Sequence, residues 1–199
     1  MSKVTCDMAM SVDGFVAGLH QSLEEPFGEG VGDRLHQWMF EEAEQHAAVL
    51  ESITAAGAFI MGRNMFSPGR GAWDLNWTGW WGEEPPYHAP VFVLTHHPRE
   101  PLPKKGGTTF MFVTDGIESA LAQAREAAGD RDIAIAGGAA TVNQYLAAGH
   151  IDELRLHVAP VILGRGERLL HNVGDITLEP LGAPSGTRLV THLTYRVIR

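Results

Sequence analysis

The sequence predicts an α/β fold, with a mainly parallel central sheet flanked by helices and an antiparallel hairpin at the C-terminal end. Through roughly the first two thirds of the chain, compact apolar runs alternate with stretches of helical periodicity. After about residue 150 only strand-like segments follow, and such a tail reads as antiparallel. No internal repeat, low-complexity segment or linker divides the 199 residues, which suit one compact domain.

The elements are justified in chain order. Val4, Cys6, Met8 and Met10 alternate with Thr5, Asp7 and Ala9 at the period of a strand. Asp13-Gly14 then marks a turn, and Phe15 to Ala17 a short extended piece. Gly18 to Gly32 reads as a loop. Leu35, Trp38, Met39, Ala43, Ala47, Leu50 and Ile53 recur at three-and-four spacing, which predicts one amphipathic helix with Asp33 as its N-cap. "GAFIMG" is a buried strand and "RNMF" the start of a short helix. Residues 67–90 hold Trp73, Trp77, Trp80 and Trp81 among glycines and prolines, too aromatic for a disordered linker. "VFVLT" and "TFMFVT" are strands, and Asp115 is placed to cap a helix over 117–128. "DIAIA" is a strand and "TVNQYLAAG" a helix that Gly149 ends. "DELRLHVAPVIL", "ITLEPL" and "TRLVTHLTYRVI" are strands, the first bent at its proline.

Composition narrows the function. Apolar residues make up 44% and charged residues 20%, ordinary for a soluble globular protein. Fifteen basic against 24 acidic residues leave a net charge of −9, which repels phosphate backbones and argues against nucleic-acid binding. No segment is long and apolar enough to span a bilayer, and the N-terminus shows no secretory signal, so the expected location is cytoplasmic. Cys6 is the single cysteine, in apolar surroundings that favour a small buried side chain over a reactive thiol. The ten histidines show no ligand spacing, so no metal is expected, and no serine stands in a nucleophile elbow.

Three strand ends concentrate the chemistry. Gly137 and Gly138 follow a strand and open a helix, where free N–H groups and the helix dipole can hold a diphosphate. They lack the G-x-G-x-x-G order, and glycines that merely permit a tight turn are the alternative. "FIMGRN" puts Gly62 and Arg63 at a second strand end, the edge where ligands collect in such sheets. Arginine's planar fork suits phosphate; a surface salt bridge is the alternative. "VLTHHPR" brings Thr95, His96, His97 and Arg99 to a third. One long phosphorylated ligand accounts for all three.

In order and spacing, S-x-D-G at Ser11 to Gly14, M-G-R at Met61 to Arg63, V-L-T at Val93 to Thr95, the glycine pair and "IDELRLHVAPVILGRG" resemble the dihydrofolate reductase-like family, most closely the branch holding the reductase domain of riboflavin biosynthesis. The resemblance runs from about residue 3 to 170 and implies a single dihydrofolate reductase-like domain over residues 1–199. It implies NADPH as cofactor, with Gly137, Gly138 and Ala139 under the diphosphate and a cis bond between the two glycines. Arg63 would touch the phosphate of the adenosine half, Thr95 and His96 would lie beside the 2′-phosphate, and Ala9 and Val16 would hold the nicotinamide carboxamide. Gly62 and Thr141 complete the expected contacts. Met65 departs from the pattern by replacing a threonine that touches the diphosphate.

Hydride transfer needs a proton source. Asp13, in a turn that lies near substrate in the riboflavin branch, ranks ahead of Asp33, early on the first helix. Turn-forming and N-capping are their respective alternatives. By the same resemblance His157 faces the substrate pocket, in a pKa range suited to proton exchange, with a structural strand histidine as the alternative. Trp81, with Trp80, can stack on a flat heteroaromatic ring or simply pack the loop; packing is preferred for Trp73 and Trp77. The expected function is NADPH-dependent reduction of a small heterocycle of pterin, flavin-like or ribitylamino-pyrimidine type. The alternative, a nucleotide-binding sensor or sequestering protein without turnover, predicts a filled cavity beside the nicotinamide. The apolar face of the last strand predicts a homodimer.

Overall fold

A computed structural model describes residues 2–198. The elements are β1 (Val4–Ser11), β2 (Phe15–Ala17), α1 (Gln37–Glu41), α2 (Ala47–Thr54), β3 (Ala58–Gly62), α3 (Arg63–Phe66), β4 (Pro90–Leu94), β5 (Leu102–Pro103), β6 (Thr109–Val113), α4 (Ile117–Ala128), β7 (Ile133–Gly137), α5 (Ala139–Ala147), β8 (Glu153–Ala159), β9 (Glu167–Arg168), β10 (Thr177–Pro180), β11 (Ser185–Gly186) and β12 (Thr191–Ile198). One ten-stranded sheet runs β10-β12-β8-β1-β7-β3-β4-β6-β5, with β11 also on β12, while β2 and β9 form a separate ribbon. Every pair from β8 through β6 is parallel; β12 joins β8, and β10 joins β12, antiparallel.

Alternation along the strands sorts their residues onto two faces. Val4, Cys6 and Met8 of β1, Ile60 of β3, Ile133 and Ile135 of β7 and Leu154 of β8 lie in the core shared with Leu121 of α4 and Val142 and Tyr145 of α5. Burial and then the neighbouring Asp7 push the Cys6 thiol well above its ordinary range, so it is a packed apolar side chain and not a nucleophile. The opposite face divides in two. Phe59, Met61, Val91, Val93 and Phe110 pack there against the tryptophan loop, with Trp73, Trp77 and Trp81 partly buried on them. Across β1, β8 and β12 the same face carries Asp7, Arg155, His157 and His192, which are adjacent in register.

Several local expectations change. The predicted helix from Leu35 to Ile53 is two short helices separated by turns over 42–46, and Asp33 is not an N-cap: α1 begins after His36, with no side-chain cap. Turns bonded from Val31 O to Arg34 N and from Asp33 O to His36 N occupy the predicted first turn. Asp115 does not cap α4, whose N-cap is Gly116 at φ 89°, a conformation glycine adopts without Cβ strain. The last strand starts at Thr191 and is paired on both sides, and its apolar face, Leu193, Tyr195 and Val197, packs in the helix-side core. Among the described residues no helix is long and apolar enough to cross a membrane.

Phe110 is fully buried, its ring centroid 5.0 Å from that of Phe66 and 5.8 Å from that of Trp81. Phe110→Ala is expected to destabilise the protein by about 3–5 kcal/mol in urea unfolding and to free the tryptophan loop, read as increased fluorescence quenching. A change under about 1 kcal/mol would show that the loop is not seated on this ring.

Candidate active site

Strands β7, β3 and β4 are parallel neighbours, so their C-terminal ends reach the same edge of the sheet. Met61 pairs with Gly137, which brings Gly62 beside the turn that opens α5. A Cβ at Gly62 would overlap the Thr141 hydroxyl, so glycine is what lets the first turn of α5 close onto β3. Gly137 has φ +124° and packs under the sulfurs of Met8 and Met65; the peptide joining it to Gly138 is cis. Met65, the departure from the family pattern, therefore supports the turn from below.

Gly138 faces open space: nothing lies within 4 Å of where its Cβ would be. It is the N-cap of the nine-residue α5 and supplies no capping side chain, so the N–H groups of the first turn have no such partner. This is a bare main-chain cradle of the kind that accepts a diphosphate, and Gly137, Gly138, Ala139 and Thr141 fit that role. Beside it a cavity of about 570 Å³ is lined by Phe15, Ala139, Asn143, Arg168 and His171. Arg168 lies over the Phe15 ring at 4.4 Å and donates to the Asp13 carbonyl, a cationic fork at this mouth that sequence spacing does not reveal.

The residues expected on the adenosine side are differently engaged. Arg63 stacks over Trp73 at 3.9 Å and donates to the carbonyls of Gly71 and Ala72; burial, then Arg70, lower its pKa. Arg99 donates to the Trp77 carbonyl at 2.8 Å. Both guanidiniums thus hold the tryptophan loop. The Thr95 hydroxyl is tied to His97 N–H and carbonyl at 3.1 and 3.3 Å, while His96 is exposed. Ala9 and Val16 are buried, and Ala9 sits in register with His157.

Asp13 is a latch. Its carboxylate accepts the backbone N–H groups of Leu163 and Gly164 at 3.1 and 2.7 Å. The Ser11 hydroxyl first, opposed by desolvation and reinforced by these amides, lowers its pKa to about 2. Such a carboxylate has no proton to give near neutrality, which corrects its assignment as the proton donor. Asp33 is exposed. Trp81 packs on Tyr87 and Phe110, ring centroids 5.3 and 5.8 Å away, and Trp80 packs edge-on to Trp77, so the pair serves the loop rather than an open ring site.

His157 belongs to a buried polar cluster that spacing alone does not reveal. Its Nε2 lies 3.3 Å from Asp7 Oδ1, and its Nδ1 2.8 Å from His192 Nδ1. Trp38 covers the cluster, its ring centroid 5.0–5.3 Å from those of His46, His157 and His192. Asp7 and His192 stand at the polar positions of strands that otherwise alternate with core residues, and that was their only signal.

A parallel sheet with a glycine turn opening a helix at its C-terminal edge, beside a second glycine strand end, is the arrangement of the dihydrofolate reductase-like fold. Residues 2–191 match the family described as the RibD C-terminal domain, and the chain belongs to that family. A putative riboflavin biosynthesis protein from Shewanella sp. PV-4 superimposes with a TM-score of 0.68 at 22% identity, covering 99% of both chains. Dihydrofolate reductase from Enterococcus faecalis, complexed with NADP(H), gives 0.58 at 14% identity over 98% of this chain and 96% of its own. The riboflavin biosynthesis reductase Rib7 of Saccharomyces cerevisiae gives 0.55 at 14% over 100% and 89%.

Since the folded-state pKa of Asp13 is depressed, its contribution to stability is present above the unfolded carboxylate value of about 3.9 and is lost as pH falls toward 2. Asp13→Asn should melt below the parent at pH 7, with the gap closing as pH falls below about 4. A gap unchanged at pH 2.5 would contradict the latch.

Proposed function

We propose that the chain is an NADPH-dependent reductase that passes a hydride to a small heterocycle of pterin, flavin-like or ribitylamino-pyrimidine type. The observation that carries this is the open face of Gly138 at the uncapped start of α5, held against β3 by the Gly62–Thr141 contact. Membership of the RibD C-terminal domain family and the likeness to reductases, one of them bound to NADP(H), support the same reading. The bound nucleotide would supply the hydride. The chain's own part is to fix the diphosphate on main-chain N–H groups, to place the nicotinamide near Ala9 and Val16, and to keep water from the reacting face.

A second reading, nucleotide binding without turnover, draws on one observation. Trp38 is fully buried over the polar face next to Ala9 and fills space that a substrate ring would use. Both readings require NADPH to bind; only the first requires its oxidation when heterocycles are added.

Gly138 adopts φ −75°, which any residue tolerates, so a methyl there projects into the open space rather than into protein. Gly138→Ala is expected to weaken NADPH in titration calorimetry by at least about tenfold, roughly 1.4 kcal/mol, with little change in melting temperature. Unchanged affinity would remove the diphosphate from this turn. No heat from NADPH with the parent protein would remove the reading itself.

A further inference from the structure

The face of the sheet beside Ala9 carries a chain of buried titratable groups for which the hydride reading has no use so far. His157 Nδ1 meets His192 Nδ1 at 2.8 Å, and His192 Nε2 meets His46 Nδ1 at 2.9 Å. At one end His157 Nε2 faces Asp7 Oδ1 at 3.3 Å; at the other His46 Nε2 faces Glu42 Oε2 at 3.6 Å and Thr187 Oγ1 at 3.4 Å. The Thr187 hydroxyl donates to Glu42 and so offers His46 no proton. All five titratable side chains are at least nine-tenths buried.

Counting protons along this chain decides its state. Each contact between two ring nitrogens needs one proton, because two lone pairs repel and two N–H groups clash. Three neutral imidazoles carry three protons. Two fill the contacts between rings, and the third reaches only one end, leaving a bare nitrogen lone pair against a carboxylate oxygen at the other. A fourth proton lets both terminal nitrogens face their carboxylates as donors. Burial, then His157 and His46, push His192 down to about 4, so the added charge rests on a terminal ring beside a carboxylate.

We propose that Asp7, His157, His192, His46 and Glu42 hold one proton beyond three neutral imidazoles, and that His157 Nε2 gives it to the substrate as hydride arrives. The proposal rests on the reductase reading. Asp7 Oδ1 and His157 Nε2 are buried atoms without a hydrogen-bond partner, next to Ala9 on one face and beneath Trp38, so a ring lying by the nicotinamide reaches them only when Trp38 moves aside. In the step, the carbon of a C=N unit would receive the hydride that a bound reduced nicotinamide supplies, the C=N π bond would open, and the nitrogen would take the His157 proton. The chain is left neutral, each ring donating toward Glu42, and water returns the proton once product has left. His157 is then a catalytic residue; His192, His46 and Glu42 are positioning residues that fix its tautomer.

The charged groups around the chain come from every element packed on it. Arg155 of β8 lies 3.4 Å from Asp7 and also pairs with Glu153, which Lys3 joins. Arg188, before β12, reaches Glu42 at 3.5 Å and Glu41 at 3.8 Å. His36, pushed to about 4 by burial, with Asp33 opposing and His157 adding to the effect, stays neutral nearby.

The first test needs no substrate. Imidazole 15N–1H spectra of the intact protein at pH 7 should show four N–H protons on these three rings, and Glu42→Gln should leave three. Three in the parent would overturn the proposal. With NADPH and an accepted heterocycle, the rate should fall as pH rises through the loss of the fourth N–H. His46→Gln should move both together, and His157→Gln should lower kcat at least about tenfold with NADPH affinity unchanged. A rate flat across that pH would overturn the proton donation and leave the reductase reading standing, whereas a parent protein that gives no heat with NADPH defeats that reading, and the donation with it.

Discussion

The contact between Gly62 and the Thr141 hydroxyl is the constraint on which the rest of the site depends. It closes the first turn of α5 onto the end of β3, and only a residue without Cβ at position 62 allows that approach. With α5 seated there, its uncapped N-terminus and the open face of Gly138 lie at the C-terminal edge of three parallel strands. Hydrophobic packing on the other face, through Val142 and Tyr145 against β1 and β7, holds the helix in this register. The Tyr145 hydroxyl adds a bond to the Ile117 carbonyl at 2.8 Å and so ties α5 to α4. The cradle is therefore a product of core packing, with no ligand needed to shape it.

Beyond this cradle the two halves of the same sheet face differ. Under the tryptophan loop the face is apolar, and the loop is pinned by the guanidiniums of Arg63 and Arg99 on its carbonyls and rings. The terminal nitrogens of Arg63 go to the Gly71 and Ala72 carbonyls while its buried Nε has no partner, and Arg168 is a guanidinium that stands at the cradle's mouth. Across β1, β8 and β12 the face is polar yet buried, and it is tolerable only because nearly every group has a charged or hydrogen-bonding neighbour. Trp38 seals it.

The sheet and the cradle were legible in the sequence because their signals are local. Alternation in β1 and β12, the apolar runs of β3, β4 and β7, and glycines at 62, 137 and 138 each state their requirement within a few residues. The misplaced parts depend on distant partners. Three-and-four spacing from Leu35 to Ile53 suggests one helix, but bonded turns interrupt it, and Glu42 and His46 face inward from the break to meet His192 and Thr187, some 145 residues away. Asp13 looks equally like an acid or a turn-former until Leu163 and Gly164 bring their amides to it. Arg63 matches a phosphate ligand by motif, and only folding of the 67–90 loop reveals where its donors go. His157 was singled out by resemblance; its partners were not, because a histidine chain across three strands and a helix break has no sequence spacing.

The central claim is that bare main-chain N–H groups at the start of α5 grip a pyrophosphate, and a crystal soaked with NADPH tests it most directly. The account predicts the diphosphate on the amides that follow Gly137, with the nicotinamide reaching Ala9 on the side of His157. A nucleotide ordered in the cavity lined by Leu146, Gly149 and Val197, or one that leaves the glycine turn uncontacted, would contradict it.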